Sequence, residues 1–404
     1  MKKRKVLVIA PSSIPVVGAE AIVNIKLLEL LSKNGYEIDL ISKKNKWENY
    51  PYDLNLDGYE IELNRLEIIE VDNTINFKSI WLHILSFFYF GAVFKGAHWA
   101  VAVLKTIKKN LDFSEYDFIL TKNSPSLLLG DYFKRKYKIR WIASWNDPYP
   151  SENYPEPYGK GTAFRLPWFS RKQYSIMERA DHHIFPNIRL AQYMKKYLNY
   201  NSDSFSIIPH LASSNKLNLS YKSGDHNVLK IIHSGNLKSP RDPKPLILAL
   251  HKLVNKYVNP NLIIEFVGVF ENDLYELCER LGLNDFIKLS PPLEYKKSLE
   301  VLKEFNIALI IEAPCEEGIF LPTKVGDYMS CQIPIFSLSP KKGILADLFH
   351  LNYIQYFADI SNDYEIFREL EKLWVDFNSN SIKPSVFYEE YGENNIIELY
   401  NKIN

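Results

Sequence analysis

Apolar and polar positions along the chain follow two rhythms that take turns. Residues 6–10 form a short continuous apolar run of the length of a buried strand. The stretch after it sets Val23, Leu27, Leu30 and Leu31 against Lys26, Glu29 and Lys33, the spacing of an amphipathic helix that Asn34 and Gly35 stop. Strand signals return at 37–41, 117–121 and 140–144, and more weakly at His182–Phe185. A second series begins with a strand at 229–233 and a helix at 245–257, followed by a strand at 262–267 and a helix at 273–281. It continues through a strand at 286–289, a helix at 295–305, a strand at 307–312, a helix at 323–331 and a strand at 333–337. Such alternation predicts βαβ units, hence mostly parallel sheets with helices on both faces.

A polar, irregular stretch at about 212–227 separates the two series and reads as a linker. The expected division is 1–208 and 209–384, with a last helix near 393–403, inside about 385–404, packing back on the first domain. The fold class is therefore α/β, with two Rossmann-like βαβ domains facing a central cleft. Ligands of open parallel sheets bind beyond the carboxyl ends of the strands, which is where each motif below falls. One segment breaks the rhythm. Residues 80–94 are almost wholly apolar and aromatic, fewer than the ~20 a spanning helix needs. They read either as a buried helix or as a helix that touches a membrane surface or an apolar acceptor.

A length of 404 residues fits roughly two or three domains. The net charge of +1 removes the electrostatic case for a nucleic-acid partner. Three cysteines, Cys278, Cys315 and Cys331, lack metal-ligand spacing and suggest a reducing compartment, and the apolar run at the N-terminus is too short for a signal-peptide core. Cytoplasm is the expected location, at the inner face of the cell membrane if 80–94 makes contact there.

The motif at 320–329 joins a helix start at Pro322 and Thr323 to Lys324 and, one turn on, Asp327. A cation and a carboxylate on one helix face suit a phosphate with a ribose beside it. The plain alternative is an ordinary helix start with exposed side chains. In 233–243, Gly235 lets the backbone approach a ligand, and Arg241 offers a planar guanidinium for a bidentate grip on a diphosphate, with Lys238 nearby. Its alternative is a loop ion pair with Asp242. The loop 11–20 ends in Gly18 before a helix but lacks the three-glycine dinucleotide fingerprint. At 141–149, Asn146 and Asp147 follow a strand; Asp147 is the candidate carboxylate for base-like work, against the reading of a capped turn before Pro148. The Pro- and Tyr-rich stretch 149–168 reads as a loop over the cleft. His182 and His183 point to opposite faces of one strand, and with His210 they receive no role.

These residues resemble glycosyltransferases of the two-Rossmann-domain (GT-B) fold, in particular the family 4-like retaining enzymes that use nucleotide-diphosphate sugars. The likeness covers most of the chain and is strongest at 233–243 and 321–334. It implies that Arg241 and Lys324 bind the donor diphosphate, that Asp327 binds the nucleotide ribose, and that Gly18 lies near the phosphates and the acceptor. Gly235, Asn236, Glu317 and Gly318 complete the donor-binding set, and Asp147, Arg241 and Lys324 are the catalytic candidates. The chain departs from the family at its pair of glutamates: Asp327 stands for the second and Ile319 for the first, while Glu316 and Glu317 lie slightly upstream. The expected activity is transfer of a hexose or N-acetylhexosamine from a nucleotide-diphosphate sugar to a hydroxyl of a sugar or lipid-linked acceptor, in cell-surface polysaccharide or glycolipid synthesis. Neither a metal nor another cofactor is expected. The rival readings are a sugar-nucleotide epimerase on the same architecture and a non-catalytic GT-B scaffold.

Overall fold

The structure, a computed structural model, describes residues 4–45, 56, 59–71, 76–91, 96–107, 110–149, 153–159, 167–212, 227–271 and 273–403. Most of the expected linker at 212–227 and parts of the 149–168 loop lie outside them. The chain forms two compact units: Met1–Tyr154, Gly159–Leu211 and Glu390–Asn404 make the first, Pro155–Tyr158 and Ala212–Glu389 the second.

The first unit contains strands β1 (Arg4–Ile9), β2 (Tyr36–Asn45), β3 (Leu63–Val71), β4 (Phe118–Lys122), β5 (Trp141–Ser144), β6 (His182–Phe185) and β7 (Phe205–Ile207). Its helices are α1 (Ala19–Lys33), α2 (Phe77–Phe90), α3 (Ala97–Ile107), α4 (Ser126–Tyr137), α5 (Pro167–Met177) and α6 (Ile188–Met194). The second unit has β8 (Leu229–Ser234), β9 (Leu262–Val267), β10 (Ile287–Ser290), β11 (Ile307–Ile311), β12 (Ile335–Ser339) and β13 (Tyr356–Asp359). Helices α7 (Lys244–Lys256), α8 (Asp273–Arg280), α9 (Tyr295–Val301), α10 (Lys324–Ser330), α11 (Ile344–His350) and α12 (Asp363–Asn378) cover them, and α13 (Glu393–Ile403) returns to the first unit.

Both sheets are parallel throughout. Their strand orders are β3-β2-β1-β4-β5-β6-β7 and β10-β9-β8-β11-β12-β13. The apolar runs are continuous because both faces of a central parallel strand are covered; β4 and β11 are buried at every position. Order reverses beside the first strand of each sheet, between β1 and β4 and between β8 and β11, so the loops leaving those strands diverge and leave a crevice at their carboxyl ends. On one face of the first sheet, α1 and α13 share a core in which Ile396, Tyr400 and Ile403 meet Val6, Val8 and Leu28. The other face carries Trp99, Leu104 and Phe133.

The 80–94 segment is not a buried helix. From Phe77 to Phe90 it forms α2, opened by an Asn76–Ser79 capping box and closed by Gly91 at φ 73°. Only one side of it meets the core, through Leu82, Ser86 and Phe90. The helix spacing that puts these three inward turns Phe77, Trp81, Phe87 and Phe88 outward, while Tyr89 packs partly against the core; residues 92–94 lie outside the described part. The three cysteines are free.

Backbone approach is closest where Gly130 of α4 meets β5. A methyl group there would lie 2.2 Å from Nε1 of the fully buried Trp141, whose N–H donates to Thr121 Oγ1 at 2.8 Å. Alanine favours a helix over glycine by about 1 kcal/mol, whereas overpacking a core costs about 1–3 kcal/mol or more, and here it also breaks a buried hydrogen bond. Gly130→Ala is therefore expected to destabilise the first unit by roughly 2 kcal/mol net and lower its thermal midpoint by several degrees, read by circular dichroism. An unchanged midpoint would show that Trp141 moves aside freely.

Candidate functional site

In the second unit, the charged candidates gather where β8 and β11 end. Lys324, the first residue of α10, is half-buried and its ammonium donates to the carbonyl of Ser234 at 2.6 Å. A methyl group on Gly235 would stand 2.9 Å from Lys324 Nζ and 3.8 Å from His233 Nε2, so the glycine is what lets the three meet. Gly235 has φ +143°, and its own carbonyl leaves no room for a side chain at Gly268, with 2.3 Å to a Cβ there. Burial and the neighbouring Arg241 charge pull Lys324 down to about 7, partly offset by Glu312. The same burial and the Lys324 charge hold His233 well below its ordinary value, so its imidazole is neutral. Its Nδ1 lies 3.1 Å from the Leu309 carbonyl, which can only accept; Nδ1 therefore carries the proton, and buried Nε2 presents a lone pair that no described residue meets.

Arg241 does not pair with Asp242, which instead caps Lys244 N at 2.9 Å. Its Nε and Nη2 donate to Glu312 Oε2 at 3.2 and 3.1 Å. The same oxygen accepts the Tyr158 hydroxyl at 2.7 Å, and that hydroxyl in turn receives the Ala313 N–H at 3.3 Å. Glu312 is buried, and Tyr158 packs its ring edge-on to Phe320 with centroids 4.8 Å apart. Burial and the Glu312 charge push the Tyr158 phenol up. A single carboxylate oxygen thus occupies the donors that a diphosphate oxygen would need. Beside it lies an open recess of about 270 Å³, lined by Tyr158, Gly318, Phe320, Pro340 and Gly343. Gly318 and Gly343 touch backbone to backbone there, 2.9 Å separating Gly318 Cα from a Cβ placed on Gly343.

The remaining donor-side candidates are spread around this centre. Asp327 is buried and its Oδ2 accepts the Tyr295 hydroxyl at 2.9 Å. Asn236 is exposed and holds Val269 N at 3.1 Å, and Glu317 pairs with Lys342 at 3.0 Å. Helix α10 is only seven residues long, and Thr323 makes no side-chain cap.

The first unit carries a second cluster where β1, β4 and β5 end. Gly18 precedes α1, and an added Cβ would meet nothing within 4 Å, which leaves open space at the helix start. Glu20 accepts the Asn123 amide at 2.8 Å, and Asn123, held at φ 53°, accepts Asn146 N at 2.8 Å. Burial, with Asp147 adding repulsion, raises Glu20 to about 7 against the pull of Ser12, Asn123 and Lys122. Lys122 is buried, donates to Ser144 Oγ at 2.8 Å and is lowered to about 8 by burial. Asp147 bonds and repels the Tyr154 phenol, which burial first of all pushes up. Glu20, Lys122, His233, Glu312 and Tyr158 were not singled out from sequence. The usable signal was position: Lys122 ends the apolar run of β4 and Glu312 directly follows that of β11. His182 bonds Ser206 Oγ at 2.9 Å and His183 the Trp145 ring nitrogen at 3.2 Å, both structural.

No family model matches the sequence, and no curated protein matches it. Solved structures do. The chain is similar to HepE of Anabaena in complex with UDP, with 13% identity over 98% of each chain and a TM-score of 0.62. A glycosyltransferase from Rickettsia africae matches with 13% identity, covering 100% of this chain and 99% of that one, at a TM-score of 0.63. A candidate UDP-N-acetylglucosamine 2-epimerase from Listeria monocytogenes matches at 12% identity over 98% and 95%, with a TM-score of 0.56. At such identities the likeness is one of fold, and that fold is the paired Rossmann-like architecture of GT-B proteins.

Proposed function

We propose that the chain transfers a sugar from a nucleotide-diphosphate donor to an acceptor hydroxyl. One observation carries this reading: Lys324, whose ammonium stands beside Gly235, and Arg241, whose charge bears on it, gather at the order reversal of the second sheet. A departing diphosphate gains negative charge as the sugar gains oxocarbenium character, and fixed cations in a buried site stabilise that charge. Arg241 would exchange Glu312 for the diphosphate, Lys324 would take the adjoining oxygen, and Asp327 would serve the ribose. Gly235, Asn236 and Gly318 would shape the donor site, with Glu317 near the transferred sugar. In the first unit Asp147, with Glu20 beside it, supplies carboxylates for an acceptor hydroxyl. The UDP bound by HepE makes uridine diphosphate the first nucleotide to test.

The epimerase-like neighbour supports a second reading, separated by incubating a UDP-sugar without acceptor. An epimerase converts it to an isomer; a transferase leaves it intact or hydrolyses it slowly. Arg241→Ala and Lys324→Ala are each expected to lower kcat/KM for the donor about 100-fold, or ~2.7 kcal/mol, in protein that retains its circular dichroism spectrum. Unchanged kinetics in either would remove that residue from the site.

The lowered Lys324 sets a pH dependence. Below about 7 the unliganded lysine is charged; above it the lysine is neutral, while a bound diphosphate favours the ammonium. Binding therefore takes up a proton, and UDP affinity falls as pH rises from 7, by at most about tenfold per unit. Calorimetry in buffers of different ionisation enthalpy reads the uptake directly. Lys324→Met should bind more weakly and lose the dependence; equal proton uptake in both proteins would contradict the assignment.

A further inference from the structure

We infer that the outer face of α2 docks on an anionic phospholipid bilayer. Phe77, Ile80, Trp81, Ile84, Phe87 and Phe88 form one stripe at helical spacing, and they are 87, 48, 50, 46, 51 and 76% exposed. Scattered exposed apolar residues are ordinary; six on one face, three of them Phe and one Trp, form a continuous patch. The opposite side of the helix is already engaged, through Leu82 and Phe90 in the core and the His83 ring stacked 4.7 Å from that of His98.

Charge selects the occupant. Between Asp72 and Asp112 the sequence contains Lys78, Lys95, Lys105, Lys108 and Lys109 and not one Asp or Glu, although the whole chain is nearly balanced at 49 basic and 48 acidic residues. Two further cations stand at the carboxyl end of α2. Lys172 Nζ lies 3.1 Å from where a Gly91 Cβ would be. Lys136 sits over the Tyr132 ring, which packs against Tyr89. An aromatic face on a segment whose charged residues between Asp72 and Asp112 are all lysines matches the interface of an anionic leaflet, where rings settle at headgroup depth and cations meet phosphates. A second copy seated on the same face would instead bring two lysine-rich surrounds together. The helix is 14 residues long, and no described helix is long and apolar enough to cross a membrane, so α2 lies on the surface rather than spanning it.

This inference stands independently of the sugar-transfer reading, because donor binding and membrane binding are measured separately. The test is flotation of the full chain with vesicles of phosphatidylcholine containing phosphatidylglycerol, and with phosphatidylcholine alone. The chain should float with the anionic vesicles, less so at high salt, and remain at the bottom with the neutral ones. The triple variant W81E/F87E/F88E should show an about tenfold lower bound fraction while keeping its melting curve and its calorimetric binding of UDP. Should that variant fail to fold, Lys105→Glu combined with Lys172→Glu leaves the apolar stripe intact and should lower flotation several-fold. Wild-type protein that stays at the bottom with anionic vesicles would overturn the inference, as would equal flotation on neutral vesicles or by a folded triple variant. A dimer that the triple variant dissolves, with no flotation, would assign the face to a second copy instead.

Discussion

The parallel pairing of β1 with β4, and of β8 with β11, is the constraint on which the chemistry depends. Each pair joins the two halves of a sheet whose crossovers run in opposite directions, so the chain must leave adjacent strands toward different sides. Polar groups at those strand ends cannot be covered by a crossing helix as the rest of the sheet is. In both units charged and polar side chains gather there: Glu20, Lys122 and Asn123 in the first, His233, Lys324 and Glu312 in the second.

Burial and pairing act in opposite senses on Lys324 and Arg241. Lys324 has only a carbonyl as its direct acceptor and is pulled toward neutrality, whereas Arg241, of intrinsically higher basicity, meets a buried carboxylate. Breaking one partner from a buried ion pair is costly, because the other charge stays behind without its counterpart. A dianionic ligand can replace Glu312 at Arg241 only if Glu312 finds other donors, and the Tyr158 hydroxyl already supplies one. The unliganded unit therefore keeps its guanidinium oriented without leaving it unneutralised.

Much of this was legible in the residues. Continuous apolar runs located the central strands to within a residue or two, because burial on both faces leaves no polar position inside them; β8 and β9 start where the periodicity places them. Strands β3, β7 and β13 were missed. As an edge strand β3 alternates exposed and buried positions, and β7 has only three residues, none fully buried. Arg241 and Lys324 were visible through their glycine and proline neighbours, but Glu312 was not, since a carboxylate ending an apolar strand looks like a surface residue until the sheet order is known. The aromatic segment at 80–94 misled for a related reason: its composition fits a buried helix, and only the placement of α3 decides which side is covered.

The division of the chain also bears on how it is made. The first unit needs Ile396, Tyr400 and Ile403 to fill the core beside α1, yet about 180 residues of another unit are synthesised before them. An emerging polypeptide thus finishes the second unit while the first still exposes the groove that α13 will fill. Truncation near residue 211 yields an incomplete N-terminal half rather than a self-sufficient one, and translation has to reach the final helix before that half can close.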